Sequence, residues 1–152
     1  MASLIHRVLD RHVIHGLADS WAIQDERGSM SYAELLHESA SVAGAFRSVG
    51  MVAGTELQID VPQGRELVVA VLACARLGVV PQDDAALRLA GRPPVLHSDG
   101  DEVSWDLLIQ AGRTDPEPAP ANDPDGYEGL MRAAYPDIFS TLEAGGTIST
   151  ST

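Results

Sequence analysis

Nine consecutive residues, Leu67 to Ala75, are apolar or small. They are framed by Glu66 and Arg76, which predicts a helix over Arg65 to Leu77 with an acidic first turn and a basic last turn, each matched to the helix dipole. A helix apolar on all sides is buried on all sides. Covering Leu67, Val68, Val71, Leu72 and Leu77 contributes about 1.5–3 kcal/mol each, and the same surface left open drives association. The chain must therefore lay this helix on a sheet of its own or offer it to a partner. Gly78 closes the helix before a short strand, Val79-Val80-Pro81.

The preceding residues supply the rest of a compact unit. Ser31 and Glu34 stand three apart ahead of an apolar run, so each side chain can accept from the other's backbone N–H and fix a helix start at Ser31. Leu35, Ser39, Val42, Ala43, Phe46 and Val49 make one stripe at helical spacing, opposite His37, Glu38, Ser41 and Arg47. Gly50 ends that helix. After the Ala53-Gly54 turn, residues Glu56 to Val61 alternate polar and apolar as a strand does. Pro62 and Gly64 stop it. Upstream, Trp21-Ala22-Ile23 and Met30 flank Asp25-Glu26-Arg27-Gly28 as a short hairpin, with Trp21 as a core or edge anchor. The stretch from Ala22 to Pro81 thus reads strand, turn, helix, turn, strand, helix, strand.

Outside it the signals are shorter. Ser3 caps a first helix carrying Leu4, Ile5, Val8, Leu9 and Val13 through to His15-Gly16. Asp83 or Asp84 caps a short helix over Ala85 to Ala90. Val95-Leu96-His97 and Glu102-Val103 form a second hairpin about Ser98 to Asp101, and Ser104 caps a helix from Trp105 to Ala111. Turn, strand, Ser cap, aromatic, acidic residue and Leu-Leu therefore occur twice, at Gly28 to Leu36 and Asp101 to Leu108. The expected organisation is an α/β domain over residues 1–112, a Pro/Asp-rich linker or surface crossing over 113–126, a C-terminal helix and short strand over 127–148, and a disordered tail over 149–152.

Several of these pieces carry a resemblance. Met30-Ser31-Tyr32-Ala33-Glu34-Leu35, Ala43 to Gly50, Gly54-Thr55-Glu56-Leu57, and Arg65-Glu66-Leu67 through Ala75-Arg76-Leu77-Gly78-Val79-Val80-Pro81 resemble the N-terminal part of the adenylate-forming enzymes. Members of that superfamily, among them acyl-CoA synthetases and peptide-synthetase adenylation domains, share a "T-Y-x-E-L" helix start, a "G-x-x-x-G-D-x-V" turn and a helix ending "A-G-x-x-x-P". Here Ser replaces Thr at 31, Thr replaces Asp at 55 and Leu replaces Ala at 77. The resemblance covers roughly the first eighty residues and implies an α/β fold, a partial sheet layered with helices.

It also implies what to look for next. In the family an acidic, Pro-rich approach leads to a Ser/Thr/Gly-rich phosphate loop, and a separate C-terminal domain supplies an essential lysine. In this sequence Asn122-Asp123-Pro124-Asp125-Gly126 leads instead to Tyr127-Glu128-Gly129-Leu130-Met131-Arg132, and all ten basic residues are Arg. Successive backbone N–H groups from Gly and Ser/Thr are what cradle a triphosphate. Residues Ile138 to Ile148 resemble a later family segment in which a helix ending in Ala-Gly leads to a strand.

No other constellation competes. His97, Asp99 and Ser104 are the nearest approach to a hydrolytic triad, but Ser104 is a helix cap and no G-x-S-x-G elbow is present. His12 and His15, with His6 nearby, lack the further ligands of a zinc site. Cys74 sits among apolar neighbours without a base, and Asp25 and Glu26 are turn residues. A net charge of −12 and a pI near 4.6 set the chain against nucleic acid and anionic membrane surfaces. One cysteine and no long apolar run suggest a soluble cytoplasmic chain. The sequence therefore points to a non-catalytic binding or assembly module with no cofactor and no metal. It would pair with itself or another protein chain through a candidate interface at Leu67, Val68, Val71 and Leu72. The alternatives are one part of a split acyl- or aminoacyl-adenylating ligase active with a partner chain, and a decayed fragment.

Overall fold

The computed structural model of the chain describes residues 2–150. It is a mixed α/β fold of two sheets and five regular α-helices behind an N-terminal helical segment. That segment, residues 4–17, has wide π-helical turns at His6–Asp10 and Val13–Leu17, and Gly16 breaks it at φ 108°. Strands β1 (Trp21–Asp25) and β2 (Gly28–Ser31) form the expected hairpin. Helix α1 (Tyr32–Ser48) opens on the capping box: Glu34 N–H donates to Ser31 Oγ at 3.1 Å and Ser31 N–H to Glu34 Oε1 at 3.0 Å. Strand β3 (Glu56–Asp60), helix α2 (Arg65–Leu77) and strand β4 (Val80–Pro81) make a parallel crossover, β4 lying beside β3.

The second sheet runs β4-β3-β5-β6-β7, with β5 Leu87–Ala90, β6 Val95–Ser98 and β7 Asp101–Ser104. Here one expectation fails: residues 85–90 form no helix. Leu87 to Ala90 run parallel to β3, pairing Leu57 with Leu87 and Asp60 with Ala90. Leu89 faces the core while Arg88 stays out and pairs with Asp60, an alternation that suits a strand and covers what would be an open sheet edge. The β6–β7 hairpin turns on Asp99 and Gly100, both at positive φ, as a two-residue hairpin requires.

Helix α3 (Trp105–Arg113) starts from Ser104, whose Oγ accepts Leu107 N–H at 3.3 Å. The two Ser-capped helices of the repeated pattern, α1 and α3, pack directly on one another. Beyond the crossing, the single helix expected is two, α4 (Tyr127–Ala134) and α5 (Pro136–Glu143), parted at Tyr135 because Pro136 favours the first position of a new helix. Strand β8 (Ile148–Ser149) then joins β1 in parallel, giving the order β2-β1-β8. Ser149 and Thr150 are thus ordered, against the expectation of a disordered tail from 149, since Thr150 N–H reaches Gln24 O at 2.9 Å. Ser151 and Thr152 lie outside the described residues.

One core runs from Leu4 to Leu142 and includes α2. Trp21, expected as an anchor, is half exposed at 49% because its end of β1 lies at a bulge in the hairpin. The first helix is capped from a distance. Asp123 Oδ2, not Ser3, accepts Leu4 N–H at 2.7 Å, while Ser3 Oγ is buried without a partner among the described residues. An ionised carboxylate is the stronger acceptor of the two.

Candidate functional site

The four candidate interface residues are inside the molecule. Leu67 is 8% exposed, Val68 2%, and Val71 and Leu72 are fully buried. Helix α1 packs along α2, and the Leu67–Val68 end faces α5 and β8 across a cavity. The elements that precede α2 in sequence are only part of what covers it. Its cover comes partly from residues more than sixty positions downstream, which no local pattern announces.

The candidate catalytic groups stay apart or engaged. Ser104 is the α3 cap, His97 Nδ1 lies 3.6 Å from Glu102 Oε1, and Asp99 is held in the left-handed turn, so the three make no triad. His12 is not a solvated face residue: its Nε2 stands 3.2 Å from Glu143 O and its ring meets Tyr32 edge-on at 5.4 Å. Among the described residues no group of His, Cys, Asp and Glu gathers as metal ligands. Burial pushes the Cys74 thiol up to about 12, which leaves it inert. Asp25 is no solvated turn carboxylate. Its two oxygens take Arg65 Nε at 2.7 Å and Nη2 at 2.6 Å, and these bonds bring its pKa down to about 2.

The resemblance implies a phosphate loop after the Pro-rich crossing. The crossing is fastened to α1. Arg47 pairs with Asp115 and Glu117, Glu117 N–H donates to Ala40 O at 3.0 Å, and Gly44 leaves room for the Asp115 carbonyl where a Cβ would stand. The chain then turns at Gly126, φ 78°, straight into α4. Tyr127 anchors that turn. Its hydroxyl lies 2.7 Å from Val79 O and 2.8 Å from Cys74 O, which also accepts Gly78 and Val79 N–H at the end of α2, and burial raises its pKa far above the ordinary phenol range. Arg132 pairs with Glu128 within α4 at 2.9 Å and ties the helix to α5 through Glu143 at 3.0 Å, and Arg7 joins the same Glu128 from the N-terminal helix. A packed amphipathic helix occupies the place after the crossing.

A cavity of about 310 Å³ opens beside these elements, between the starts of α2 and α5 and the strand β8. Its walls mix Leu67, Val68 and Ile138 with the polar side chains of Gln63, Thr141 and Thr150. No helix among the described residues is long and apolar enough to cross a membrane.

Comparison with known proteins agrees with the architecture. Residues 10–82 match the family model described as AMP-binding enzyme. The acetyl-coenzyme A synthetase of Deinococcus radiodurans is 40% identical over 83 residues, covering 51% of this chain and 13% of that protein. Its counterpart in Shewanella frigidimarina is 36% identical over 122 residues, 71% of this chain and 18% of that protein. This chain therefore spans under a fifth of the length of these curated relatives. Among solved structures, the N-terminal subdomain of Klebsiella oxytoca NpsA in complex with 3-hydroxyanthranilyl-AMSN superposes with a TM-score of 0.76 at 14% identity, covering all of this chain and 54% of that one. An artificially fused adenylation–PCP di-domain, NpsA-ThdA, gives 0.77 at 14% identity, covering 38% of its chain. At such identities the likeness is one of fold.

Proposed function

From the premise that the chain is a relative of the adenylate-forming enzymes, corresponding to part of their N-terminal region, we propose that it acts as a binding or assembly module and does not itself form adenylates. The observation that carries this reading is the anchoring of Tyr127 on Cys74 O and Val79 O. It commits the residues after the crossing to a helix folded onto the core. A triphosphate cradle needs a run of unengaged backbone N–H groups in a Gly and Ser/Thr loop. At the start of α4, Tyr127 N–H is taken by Pro124 O and Leu130 N–H by Gly126 O, and the residues there are Tyr127-Glu128-Gly129-Leu130 with no Ser or Thr.

The fold supports a stand-alone scaffold role. The core closes over α2 without help, and the sheets end on β2 and β8 and on β4 and β7, which pair with no further strand among the described residues. Pairing through Leu67, Val68, Val71 and Leu72 would first require lifting the elements that cover them. A second reading, one part of a split acyl-adenylating ligase, draws on the 40% identity to an acetyl-coenzyme A synthetase.

One experiment addresses both. ATP–pyrophosphate exchange is measured with acetate on the purified chain, together with light scattering on its size-exclusion peak. The module reading expects a folded species with no exchange above a no-protein blank. Exchange by the chain alone overturns it. Exchange that appears only on adding a second polypeptide carrying the remaining family segments favours the split ligase.

A further inference from the structure

The smaller sheet ends on a strand whose outer edge is unused. Thr150 N–H is given to Gln24 O at 2.9 Å. Backbone groups alternate in direction along an extended chain, so Ser149 turns its N–H and C=O away from β1, where neither has a backbone partner among the described residues. Thr147, Ile148, Ser149 and Thr150 all line the cavity of about 310 Å³. A space on one face of a strand touches every second residue, so this one lies along the edge. Its wall includes Leu67, Val68 and Ile138. The other terminal strands are guarded. Helix α4 packs on β4, and Tyr127 donates to Val79 O beside it. Strand β7 displays Asp101 and Glu102. In β2, Met30 and Ser31 are buried and Ser31 N–H is given to Glu34. Ser149 is exposed, and Thr147 to Thr150 carry no charge of the kind that blunts an edge.

We propose that the β8 edge is where the module takes its partner, through a strand laid beside Ser149 by a second polypeptide that carries the rest of an adenylate-forming subdomain. The comparison with NpsA supplies the occupant. All of this chain matches 54% of that subdomain, so there the same fold belongs to a unit nearly twice as large. One folded unit buries the faces between its parts, and this chain has one of the parts. An added strand pairs its main chain with Ser149 N–H and C=O and sets alternate side chains toward Leu67, Val68 and Ile138. The incoming segment is therefore extended and apolar at every second position. A second copy of this chain fits less well: its own β8 is only Ile148–Ser149, and two chains of net charge −12 repel. The proposal rests on the module reading and deepens it by naming the partner.

The test co-expresses the full chain, tagged, with the untagged part of the Shewanella frigidimarina acetyl-coenzyme A synthetase that follows its match to this chain. The expected result is a one-to-one complex in which the Ser149 amide, fast to exchange in the chain alone, becomes protected. Ser149→Pro deletes the outward N–H and leaves Thr150 N–H on Gln24 O, and proline is tolerated at such an edge position. It should fold as the parent does by circular dichroism and retain about tenfold less of the partner. Glu102→Pro makes the same change on the β7 edge, at the non-hydrogen-bonded partner of His97, and should retain the partner as the parent does. If Ser149→Pro does not fold, protection of the Ser149 amide decides alone. No complex, a complex with the Ser149 amide unprotected, a folded Ser149→Pro that binds as the parent does, or a dimer of this chain alone that Ser149→Pro dissolves overturns the proposal. The module reading fails separately, by ATP–pyrophosphate exchange from the chain alone.

Discussion

Arg76 and Asp10 form a two-pronged ion pair inside the molecule, Nη1 to Oδ2 at 3.0 Å and Nη2 to Oδ1 at 2.8 Å, with the Arg76 side chain 1% exposed. It joins the last turn of α2 to the N-terminal helix across sixty-six residues of sequence. Removing one partner of a buried pair leaves an uncompensated charge, so Asp10→Ala should cost about 3–5 kcal/mol. Replacing both partners, Asp10→Leu with Arg76→Met, removes both charges along with their desolvation penalty, and should cost distinctly less. Urea unfolding of the two variants gives the comparison, and equal losses would show that packing, not charge, holds the helix.

Helix α3 approaches α1 so closely that a Cβ on Gly112 would stand on the Ser41 carbonyl. The neighbour there is backbone in mid-helix and cannot rotate away. Gly112→Ala should therefore cost at least the about 1–3 kcal/mol typical of overpacking, although Ala is the better helix former. Gly129 on α4, with nothing within 4 Å of its added Cβ, is the internal control, and Gly129→Ala should be neutral or stabilising. The pair is read from denaturant midpoints.

Much of this architecture is legible in sequence because it is local. The Ser31–Glu34 box, the Ser104 cap, the two hairpins and the glycine stops each sit within a few residues of what they control, and the structure has them where the pattern put them. The misses are non-local. Residues 87–90 look helical until β3 offers them an edge. Asp123 caps a helix 119 residues away, and α2 looks like an open face until α5 and β8 arrive. The cavity shares that origin, since Gln63 and Thr150 meet only through the return of β8 to β1.

Asp25 gives a pH dependence with a definite sign. Arg65 holds its carboxyl at about 2, below the ordinary aspartate value of about 3.9. A carboxyl whose folded pKa lies below its unfolded one stabilises the fold above the unfolded value, and that contribution fades as pH falls through the folded one. Stability should therefore drop between about pH 4 and pH 2. Asp25→Asn should be less stable than the parent at about pH 5, with the gap closing as pH falls. Unfolding midpoints across that range check it, and a gap that stays constant would assign the loss to other carboxyls.

Tyr127 supplies the last prediction, and it bears on function. Its hydroxyl serves the carbonyls of Cys74 and Val79 at the exit of α2, and its ring is 4% exposed. Tyr127→Phe keeps the ring and strips the bond, so the buried Val79 O loses a donor at a cost of about 1–3 kcal/mol, while Cys74 O still accepts Gly78 and Val79 N–H. The damage should be local, because α4 reaches the core through Tyr127 and Met131 while its other face is open. Hydrogen exchange is the measurement: amides of α4 and of the Val79–Pro81 strand should lose protection in Tyr127→Phe, while those of α1 and β3 keep theirs. If protection falls evenly over the whole chain, Tyr127 is one core residue among many. If it falls as expected, the tyrosine is what holds α4 on the end of α2.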